Sequence, residues 1–416
     1  MWAKLLDQFL TRMMVVDRLS VTYPDGETRD YGPDSGAQVH VTIADDATLR
    51  AIVTNPDLGF GEAFMDERVA PQNCTLDDVL TVLIRNRGAG DVPAWMKTLN
   101  RARFHARAFI QRNAPSASRR NVAHHYDISD DLYRMFLDED MQYSCAYFRD
   151  PDMSLEDAQI AKKAHIASKL RLEPGMRVLD IGCGWGGMAM TLARDYGCHV
   201  TGVTLSENQL ATAEARVAAA GLSDQITFNL KDYRHVSGSF DRIVSVGMLE
   251  HVGVPNYGTY FNKVADLLDP DGVALIHTIA RSGPPQAHSS WINKYIFPGG
   301  YVPSLSELAP ALEDSGLWQT DIEVWRLHYA MTIRHWRDRF NAGLDEVRAN
   351  YDERFVRMFQ YYLTVCILAF EHQMQAVYHF QLAHKRAAVP ITRDYLYPAS
   401  APADAKVKGR VHTAAE

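Results

Sequence analysis

Two groups of polar residues in this 416-residue chain have the types and the setting that chemistry requires. In the first, the apolar run of "VLDIGCGWGG" carries Asp180 and leads into Gly182 and Gly184. Glycines let the backbone turn tightly and let a ligand approach without side-chain obstruction. The second group is Glu250 and His277, which lie near the ends of two further apolar runs. A carboxylate and an imidazole in such surroundings are costly to bury without a partner, so we interpret both as functional.

Cys145 stands among aromatic residues in the segment "MQYSCAYFRD", which raises the question of a nucleophile or a metal ligand. No sulfur-ligand partner accompanies it, and the sequence therefore predicts no metal site. The cysteines are odd in number and form no CxxC pair, a pattern typical of a reducing compartment. They are Cys74, Cys145, Cys183, Cys198 and Cys366.

The glycine loop belongs to a region, beginning near residue 175, in which strand-like and helical segments alternate. The strand-like runs are "RVLDIG", "HVTGVTLS", "ITFNLKDY", "FDRIVSVGM" and "GVALIHTIA". Helical stretches such as "ENQLATAEARVAAAG" and "YGTYFNKVADLL" separate them, and a last strand candidate is "QAVYHFQLA". The alternation predicts a parallel, doubly wound α/β sheet of the Rossmann-like kind, whose ligands bind at the carboxyl ends of the strands.

The glycine loop is compatible with two cofactors. Gly182, Gly184 and Gly187 satisfy G-x-G-x-x-G, the dinucleotide fingerprint, which alone is a weak signal. Asp180 completes D-x-G-x-G, the form usual in S-adenosylmethionine methyltransferases. The second strand ends in Thr204 rather than in the acid that binds the ribose of NAD. The loop therefore favours S-adenosylmethionine, with an NAD-dependent oxidoreductase as the alternative.

Residues after the second and third strands extend the predicted cofactor site. The second strand also lacks the ribose-binding acid common in methyltransferases, so we expect Gln209 or backbone groups to replace it. The third strand ends in "KDY", which places Asp232 to accept a hydrogen bond from an adenine amino group. Tyr233, the next residue, is placed to flank the adenine ring.

Two segments precede the alternating region. The first mixes strand-like "RLSVTY" and "VHVTI" with helical "TLRAIVTN" and "TLDDVLTVLIRN", and its "YPDGE" turn predicts a hairpin within a small α+β domain. Segment 92–126 is rich in Lys and Arg, has interleaved aromatic residues and holds no acid. Two interpretations of it stay open: arginines that dock on an acidic neighbour, or a patch for anionic lipid headgroups.

Charge and hydropathy exclude some classes of protein. A formal charge of −8 argues against a nucleic-acid binder, whose domain is normally basic. The N-terminal stretch carries acids and has no cleavage site, so it does not read as a signal peptide. The longest apolar run, "YYLTVCILAF", is only about half as long as a membrane span. We therefore predict a cytoplasmic protein that is able to lie on a membrane.

A set of motifs between residues 122 and 340 resembles one family, the cyclopropane-fatty-acyl-phospholipid synthases and the related mycolic acid cyclopropane synthases. These motifs are "HYDISDDLYRMFLD", "MQYSCAYF", "AQIAKKAHIASKL", "GMRVLDIGCGWGG", "GVTLSENQ", "FDRIVSVGMLEHVG", "LIHTI", "WINKYIFPGG" and "LHYAMTIRHW". The resemblance implies a class I methyltransferase fold with a helical lid insertion, preceded by the small α+β domain. The helices of 331–373 are candidates for a lid over an acyl channel, although their apolar stripe also fits plain packing.

The resemblance also implies a reaction: a methyl group passes from S-adenosylmethionine to the cis double bond of an unsaturated phospholipid acyl chain. The resulting carbocation then loses a proton to bound bicarbonate, and a cyclopropane ring closes. Carried over residue by residue, the bicarbonate contacts are the backbone of Cys145 and Ile279 and the side chains of Glu250, His277 and Tyr329. The cofactor contacts are Tyr143, Ser144, Gly182, Gly184, Thr204, Leu205, Gln209, Asp232 and Tyr233.

The partners follow from the same resemblance, and the domain bounds combine it with changes in composition along the chain. The resemblance implies a homodimer, peripherally associated with the inner membrane, that contacts unsaturated phospholipid acyl chains and an anionic membrane surface. The predicted domains are a lipid-associating N-terminal domain (1–110), a basic linker (111–121), a catalytic domain (122–398) and a disordered tail (399–416). Two other functions stay open: the same methyl transfer with a methyl-branched or methylated unsaturated product, and a non-catalytic lipid-binding protein.

Overall fold

The structure is a computed structural model that describes residues 1–98, 101, 102, 104 and 130–397. The predicted basic linker at 111–121 and the tail at 399–416 lie outside the described residues, as does most of the basic segment. The boundaries predicted at 110 and 122 fall in the same gap and stay predictions. The described chain contains a four-stranded sheet near its N-terminus and a seven-stranded sheet beyond residue 175.

The N-terminal domain combines a small sheet with four helices. In chain order they are α1 (Trp2–Met13), β1 (Arg18–Thr22), β2 (Thr28–Tyr31), β3 (Gln38–Ile43), α2 (Asp46–Thr54), α3 (Pro56–Met65), β4 (Val69–Pro71) and α4 (Leu76–Ala89). The strand order is β2-β1-β3-β4, and β1 and β2 form the hairpin predicted from "YPDGE". Side chains of Asp45 and Thr75 cap the first turns of α2 and α4, as residues of these types do. The predicted α+β domain is therefore present.

The large sheet carries the predicted glycine loop. Its strands are β5 (Arg177–Ile181), β6 (His199–Thr204), β7 (Ile226–Leu230), β8 (Phe240–Val246), β9 (Leu268–Arg281), β10 (Trp318–Trp325) and β11 (Gln375–Ala383). They lie in the order β10-β11-β9-β8-β5-β6-β7. The strands β7, β6, β5, β8 and β9 pair in parallel, which confirms the doubly wound α/β class.

Two strands depart from the sequence-based expectation of a parallel sheet. β11, the predicted last strand, pairs antiparallel with β9, and β10 pairs antiparallel with β11, so the sheet is mixed. The prediction missed β10 because "WQTDIEVW" is an edge strand with few buried residues and therefore has no strong apolar pattern. Strand direction depends on the path of the connecting chain, which hydrophobic periodicity does not reveal.

Helices cover both faces of the large sheet and extend beyond it. They are α5 (Asp130–Phe136), α6 (Leu155–Leu170), α7 (Gly187–Tyr196), α8 (Glu207–Ala219), α9 (Tyr257–Leu267), α10 (Ser290–Tyr295), α11 (Leu305–Asp314), α12 (His328–Ala342), α13 (Leu344–Asn350) and α14 (Glu353–His372). The last three are the predicted helical insertion, and they separate β10 from β11. In the described part of the chain, every helix is too short or too polar to cross a bilayer.

The inserted helices join the catalytic region to the N-terminal domain. Phe64 and Leu80 of the N-terminal domain belong to the same apolar cluster as Trp336 of α12 and Phe359 of α14. Ion pairs surround this contact, with Arg354 2.7 Å from Asp66 and Arg337 2.6 Å from Asp77. Because exposed ion pairs contribute little, the shared apolar cluster is what holds the two parts together.

Candidate active site

A cavity of about 180 Å³ lies at the carboxyl ends of β5, β6 and β7. All of the predicted cofactor residues line it, and they come from four separate stretches of the chain. These residues are Tyr143, Ser144, Asp180, Gly182, Gly184, Thr204, Leu205, Gln209, Asp232 and Tyr233. The structure therefore brings them together at the place where parallel α/β sheets bind ligands. Their contact with a cofactor stays a prediction.

The glycine loop forms one wall of this cofactor cavity. Gly182 has a φ of +83° and Gly184 a φ of +54°, a left-handed conformation that other residues rarely adopt. A Cβ atom at Gly182 would also lie only 3.1 Å from the side chain of Met248. The backbone conformation therefore favours glycine at position 182, and the close contact with Met248 adds to that preference.

Asp180 lies at the end of β5, buried with its Oδ2 atom lacking any hydrogen-bond partner among the described residues. Burial raises the pKa of this carboxyl group to about 7. Nearby Lys162 opposes that effect, and Lys162 is itself fully buried, with Nζ 3.0 Å from Ser144 Oγ. An unpartnered acid facing a cavity suits a cationic ligand, which restores its ionised form.

The remaining cofactor residues are held by local hydrogen bonds. Thr204 Oγ1 donates to Gln209 Oε1 over 3.1 Å, and the backbone N–H of Gln209 donates to Ser206 Oγ at the start of α8. This fixes Gln209 in the position that was predicted to replace a ribose-binding acid. Asp232 also lines the cavity, but Arg234 bonds to both of its carboxylate oxygens at 2.8 and 2.6 Å. Asp232 therefore has an internal partner that the sequence did not reveal.

A second cavity, of about 460 Å³, holds the predicted catalytic residues Cys145, Glu250, His277, Ile279 and Tyr329. We call this part of it the reaction chamber. The chamber and the cofactor cavity share four lining residues, namely Tyr143, Ser144, Gly247 and His251. The two spaces therefore meet at one wall, so a group bound in the first is adjacent to a chain bound in the second.

Glu250 follows β8 and is 9% exposed. Its Oε1 atom accepts a 2.6 Å hydrogen bond from the amide of Ile279, whereas Oε2 has no partner among the described residues. Burial raises the pKa of Glu250 to about 7. At neutral pH the group is therefore available in both protonation states. The amide of Ile279, predicted to bind an anion, is occupied by Glu250 here.

His277 lies on β9 opposite His379 of β11, and the atoms His277 Nδ1 and His379 Nε2 are 2.8 Å apart. Burial lowers the pKa of both imidazoles well below the usual value, so both are neutral. No described residue bonds to Nε2 of His277, and His277 lines the chamber. The pairing through Nδ1 fixes the ring and leaves Nε2 for a bound group.

A buried network continues behind His379. His165 Nε2 lies 2.9 Å from Glu323 Oε2, and Lys169 Nζ lies 2.6 Å from the same oxygen. Polar atoms of His165, Glu323 and His379 all lie within 4.8 Å of one another. Such spacing also occurs in metal sites, but Lys169 already places a positive charge on Glu323. We therefore interpret the network as a set of ion-paired side chains that packs behind the chamber and supports it.

Cys145 is fully buried, and burial raises the pKa of its thiol. A thiol that resists ionisation is a poor nucleophile, which agrees with the interpretation that its main chain rather than its sulfur matters. Tyr329 packs against the rings of Trp336 and Phe370, with centroids 5.7 and 5.0 Å away, and burial raises the pKa of its phenol. Its hydroxyl therefore stays protonated and able to donate.

Sequence reasoning missed several residues that shape the site: Lys162, His251, Tyr362 and His379. The hydroxyls of Tyr362 and Tyr143 are 2.8 Å apart, so α14 supplies part of the chamber wall. For His379 a signal existed, because "QAVYHFQLA" places a histidine inside an apolar strand just as "LIHTI" does for His277. Lys162, on α6, becomes notable only through its burial.

The mixed seven-stranded sheet, its glycine loop and the ligand cavity at the strand ends define a class I S-adenosylmethionine-dependent methyltransferase. Comparison with known proteins narrows the class. The chain belongs to the mycolic acid cyclopropane synthetase family, which matches residues 113–380. Residues 5–89 match a separate domain family of unknown function. The NAD-dependent alternative gains no support from these matches.

Relatives and solved structures agree with the family. The chain is 41% identical over 340 residues to the cyclopropane-fatty-acyl-phospholipid synthase of Escherichia coli strain K12, covering 81% of this chain and 86% of the relative. It is 35% identical to tuberculostearic acid methyltransferase UfaA1 of Mycobacterium tuberculosis, covering 91% of each. The solved cyclopropane synthase MmaA2 of Mycobacterium tuberculosis superposes with a TM-score of 0.61 at 34% identity, covering 64% of this chain and 98% of MmaA2.

Proposed function

We propose that the protein adds a methylene group to the cis double bond of unsaturated phospholipid acyl chains and forms a cyclopropane ring. The double bond attacks the methyl carbon of S-adenosylmethionine, and the carbon–sulfur bond breaks to release S-adenosylhomocysteine. The carbocation then loses a proton from the new methyl group, and that C–H electron pair forms the third ring bond. The observation that carries the proposal is the shared wall between the cofactor cavity and an apolar chamber containing Glu250 and His277.

In this proposal the residues of the cofactor cavity orient the methyl donor. Bound S-adenosylmethionine supplies an electrophilic methyl group on a sulfonium. Asp180 offers the cationic cofactor a carboxylate oxygen, Oδ2, that has no partner among the residues described. Gly182 and Gly184 let the backbone approach it, and Gln209, held by Thr204, has amide N–H groups left to bind it. Positioning the reacting atoms in this way is a large part of catalysis for a simple transfer.

The aromatic wall of the chamber protects the carbocation. Tyr143, Tyr329, Tyr362 and Phe370 line it, and all are buried or half-buried. Ring faces stabilise a nearby cation, and an apolar wall excludes the water that would otherwise capture it. Helices α12 and α14 supply three of these rings, which supports a lid-like role for the inserted helices.

Bicarbonate is the proposed base, and the residues present fit such an anion. Glu250 Oε2 is a buried atom that no described residue bonds to, and the neutral imidazole of His277 and the phenol of Tyr329 line the same chamber. These side chains, with the main chain at Cys145, would hold the anion, which supplies a proton acceptor when bound. Since the amide of Ile279 bonds to Glu250, we assign Ile279 the role of orienting that carboxyl group.

The proposal includes the cellular setting. A substrate that resides in a bilayer requires the enzyme to work at a membrane surface, so we propose a cytoplasmic protein peripherally associated with the inner membrane. The named activity of the Escherichia coli relative, a cyclopropane-fatty-acyl-phospholipid synthase, supports the substrate class. The homodimer implied by the family resemblance is retained as part of the proposal.

Expression in a host without such an enzyme, followed by fatty-acid profiling, tests the proposal. A cyclopropane product gains a methylene group and no longer reacts as an olefin, whereas a methylated alkene of equal mass still does. The second outcome would favour the methylated product, an alternative supported by the methyltransferase name of the relative that covers 91% of this chain. Absence of any transfer from labelled S-adenosylmethionine would favour a non-catalytic lipid-binding protein.

A further inference from the structure

The cavity that contains the reaction chamber does not end there, because the same space continues into the N-terminal domain. Apolar side chains of α1, β1, β3, α2 and α4 line this continuation, which we call the N-terminal compartment. Examples are Leu10, Val21, Val41, Ile52 and Leu83. The whole cavity, of about 460 Å³, is within the range of about 300–1,000 Å³ typical of ligand sites. The domain of unknown function therefore encloses one end of the substrate space.

A polar junction separates the N-terminal compartment from the chamber. Arg281, the last residue of β9, is 7% exposed, and its Nε atom has no hydrogen-bond partner among the described residues. Arg281 lines the cavity on the same strand face as His277 and Ile279, about 13 Å along the strand from His277. A buried guanidinium with an N–H group that no described residue accepts is costly, which favours an anion site at this position.

The charges around Arg281 are mixed: burial and the charge of Arg87 lower its pKa, whereas Tyr301 and Glu307 raise it. Glu307 is the acid that acts on it, but that carboxylate already accepts hydrogen bonds from the Tyr301 hydroxyl at 2.9 Å and the Ser304 amide at 3.0 Å. Arg87 of α4 approaches from the N-terminal domain, and its charge adds to burial in lowering the pKa of Arg281. His288 lines the same junction, and its buried Nε2 atom has no hydrogen-bond partner in the described part of the chain.

The most exposed described residues of the cavity lining lie at this junction, which we take as the opening. Among the described residues that line the cavity, the exposed ones are Arg87, Gln286 and Ala287, and all the others are buried or half-buried. A lipid entering here would meet two arginines first, with apolar space on either side. An ionic headgroup cannot enter the apolar parts without a large desolvation cost, whereas alkyl chains fill them favourably.

We propose that Arg281 and Arg87 bind the phosphate of a diacyl phospholipid at this opening, with the reacting chain in the chamber and the second chain in the N-terminal compartment. The inference rests on the proposed function, because it assigns the parts of that same substrate. Guanidinium groups bind phosphate through two parallel hydrogen bonds, which suits a pair of arginines from two domains. The N-terminal domain thereby acquires a role as the receptor of the non-reacting chain.

Arg281→Gln tests the phosphate site in the full-length protein. Vesicles of monounsaturated phosphatidylglycerol are compared with the same vesicles doped with monounsaturated diacylglycerol, which has equal chains and no phosphate. We expect KM for the phospholipid to rise about tenfold with kcat little changed, and the preference over diacylglycerol to disappear. Arg386→Gln, which removes an exposed charge remote from the cavity, is the matched control. Equal losses on both lipids would overturn the assignment.

Leu83→Trp tests the N-terminal compartment by filling it. Leu5→Trp is the control, since Leu5 packs on the same core without lining the cavity. We expect methylation of a diacyl phospholipid to fall at least fivefold, and methylation of a lysophospholipid with one unsaturated chain to stay unchanged, in a variant that binds S-adenosylhomocysteine normally. Parallel loss on both lipids would show that the compartment holds the reacting chain instead. If the wild type methylates no lipid, the proposed function itself fails. If the wild type is active and the variants methylate each lipid as the wild type does, only this inference is rejected.

Discussion

The imidazole rings of His277 and His379 face each other across β9 and β11, and Nδ1 of His277 lies 2.8 Å from Nε2 of His379. Two strands that are distant in sequence thus fix one ring of the reaction chamber. Because both histidines are neutral, one nitrogen of the pair donates and the other accepts. His379 therefore acts as a positioning residue for His277, which reaches the chamber through its other nitrogen.

Replacing His379 with Leu is predicted to lower kcat about tenfold with little change in KM, because His277 loses its orientation while the acyl chain keeps its contacts. His379→Gln, which retains a hydrogen-bonding group, is predicted to recover part of the activity. Steady-state kinetics of both variants check this, with His372→Gln at the exposed end of α14 as control. A change in KM alone would contradict the positioning role.

Glu250→Gln is predicted to reduce kcat by about a hundredfold or more, since in the proposed mechanism Glu250 is the acid group that orients the base and exchanges its proton. Binding of S-adenosylhomocysteine is predicted to stay unchanged, because Glu250 does not line the cofactor cavity. Calorimetry and a labelled methyl-transfer assay measure the two quantities. Loss of cofactor binding would show instead that the variant has lost its fold.

The stability of the protein is predicted to depend on the charge of Glu250. Its pKa is about 7 in the folded chain against 4.5 for the free side chain, so the folded state holds the proton more tightly. The free energy of unfolding therefore decreases as the pH rises from 4.5 through about 7, by about 3 kcal/mol at most. The Glu250→Gln variant has no such carboxyl group, so its stability is not expected to decrease with pH for this reason. Urea unfolding of both proteins across this pH range tests the prediction, and parallel curves would contradict it.

Affinity for S-adenosylmethionine is predicted to rise as pH increases through about 7, the raised pKa of Asp180. Below that pH the carboxyl group is protonated and offers no charge to a cationic cofactor; above it the ionised form attracts the cofactor. Asp180→Asn is predicted to bind more weakly and to lose most of the pH dependence. Isothermal titration calorimetry measures both effects, with Asp224→Asn on the surface as control. An unchanged pH profile in Asp180→Asn would contradict the assignment.

Cys145→Ser is predicted to keep most of the wild-type activity, because the buried thiol is neither ionised nor needed for a covalent intermediate. Glu250→Ala, in contrast, is predicted to lose most of it. A methyl-transfer assay on the two variants distinguishes a main-chain role at position 145 from a role of the sulfur. Inactivation of Cys145→Ser to the level of Glu250→Ala would favour the sulfur.

Much of the site could be predicted from local sequence. The glycine loop is recognisable because Gly182 and Gly184 must adopt left-handed backbone angles that few other residues tolerate. Alternating strands and helices then place Thr204, Asp232 and Glu250 at the carboxyl ends of their strands. All fifteen predicted site residues line one or both of the two adjoining cavities.

Partners across the fold could not be predicted. The sequence by itself determined the sheet class, the cofactor loop and the residue types near the strand ends, because periodicity and backbone angles act over a few residues. Only the tertiary structure decided that Ile279 bonds to Glu250, that His379 pairs with His277 and that Nε of Arg281 has no hydrogen-bond partner among the described residues. Those relationships depend on which side chains are packed together and removed from water. Removal from water raises the pKa of Glu250. Packing of apolar side chains also brings the N-terminal domain against the reaction chamber, so that both line one cavity.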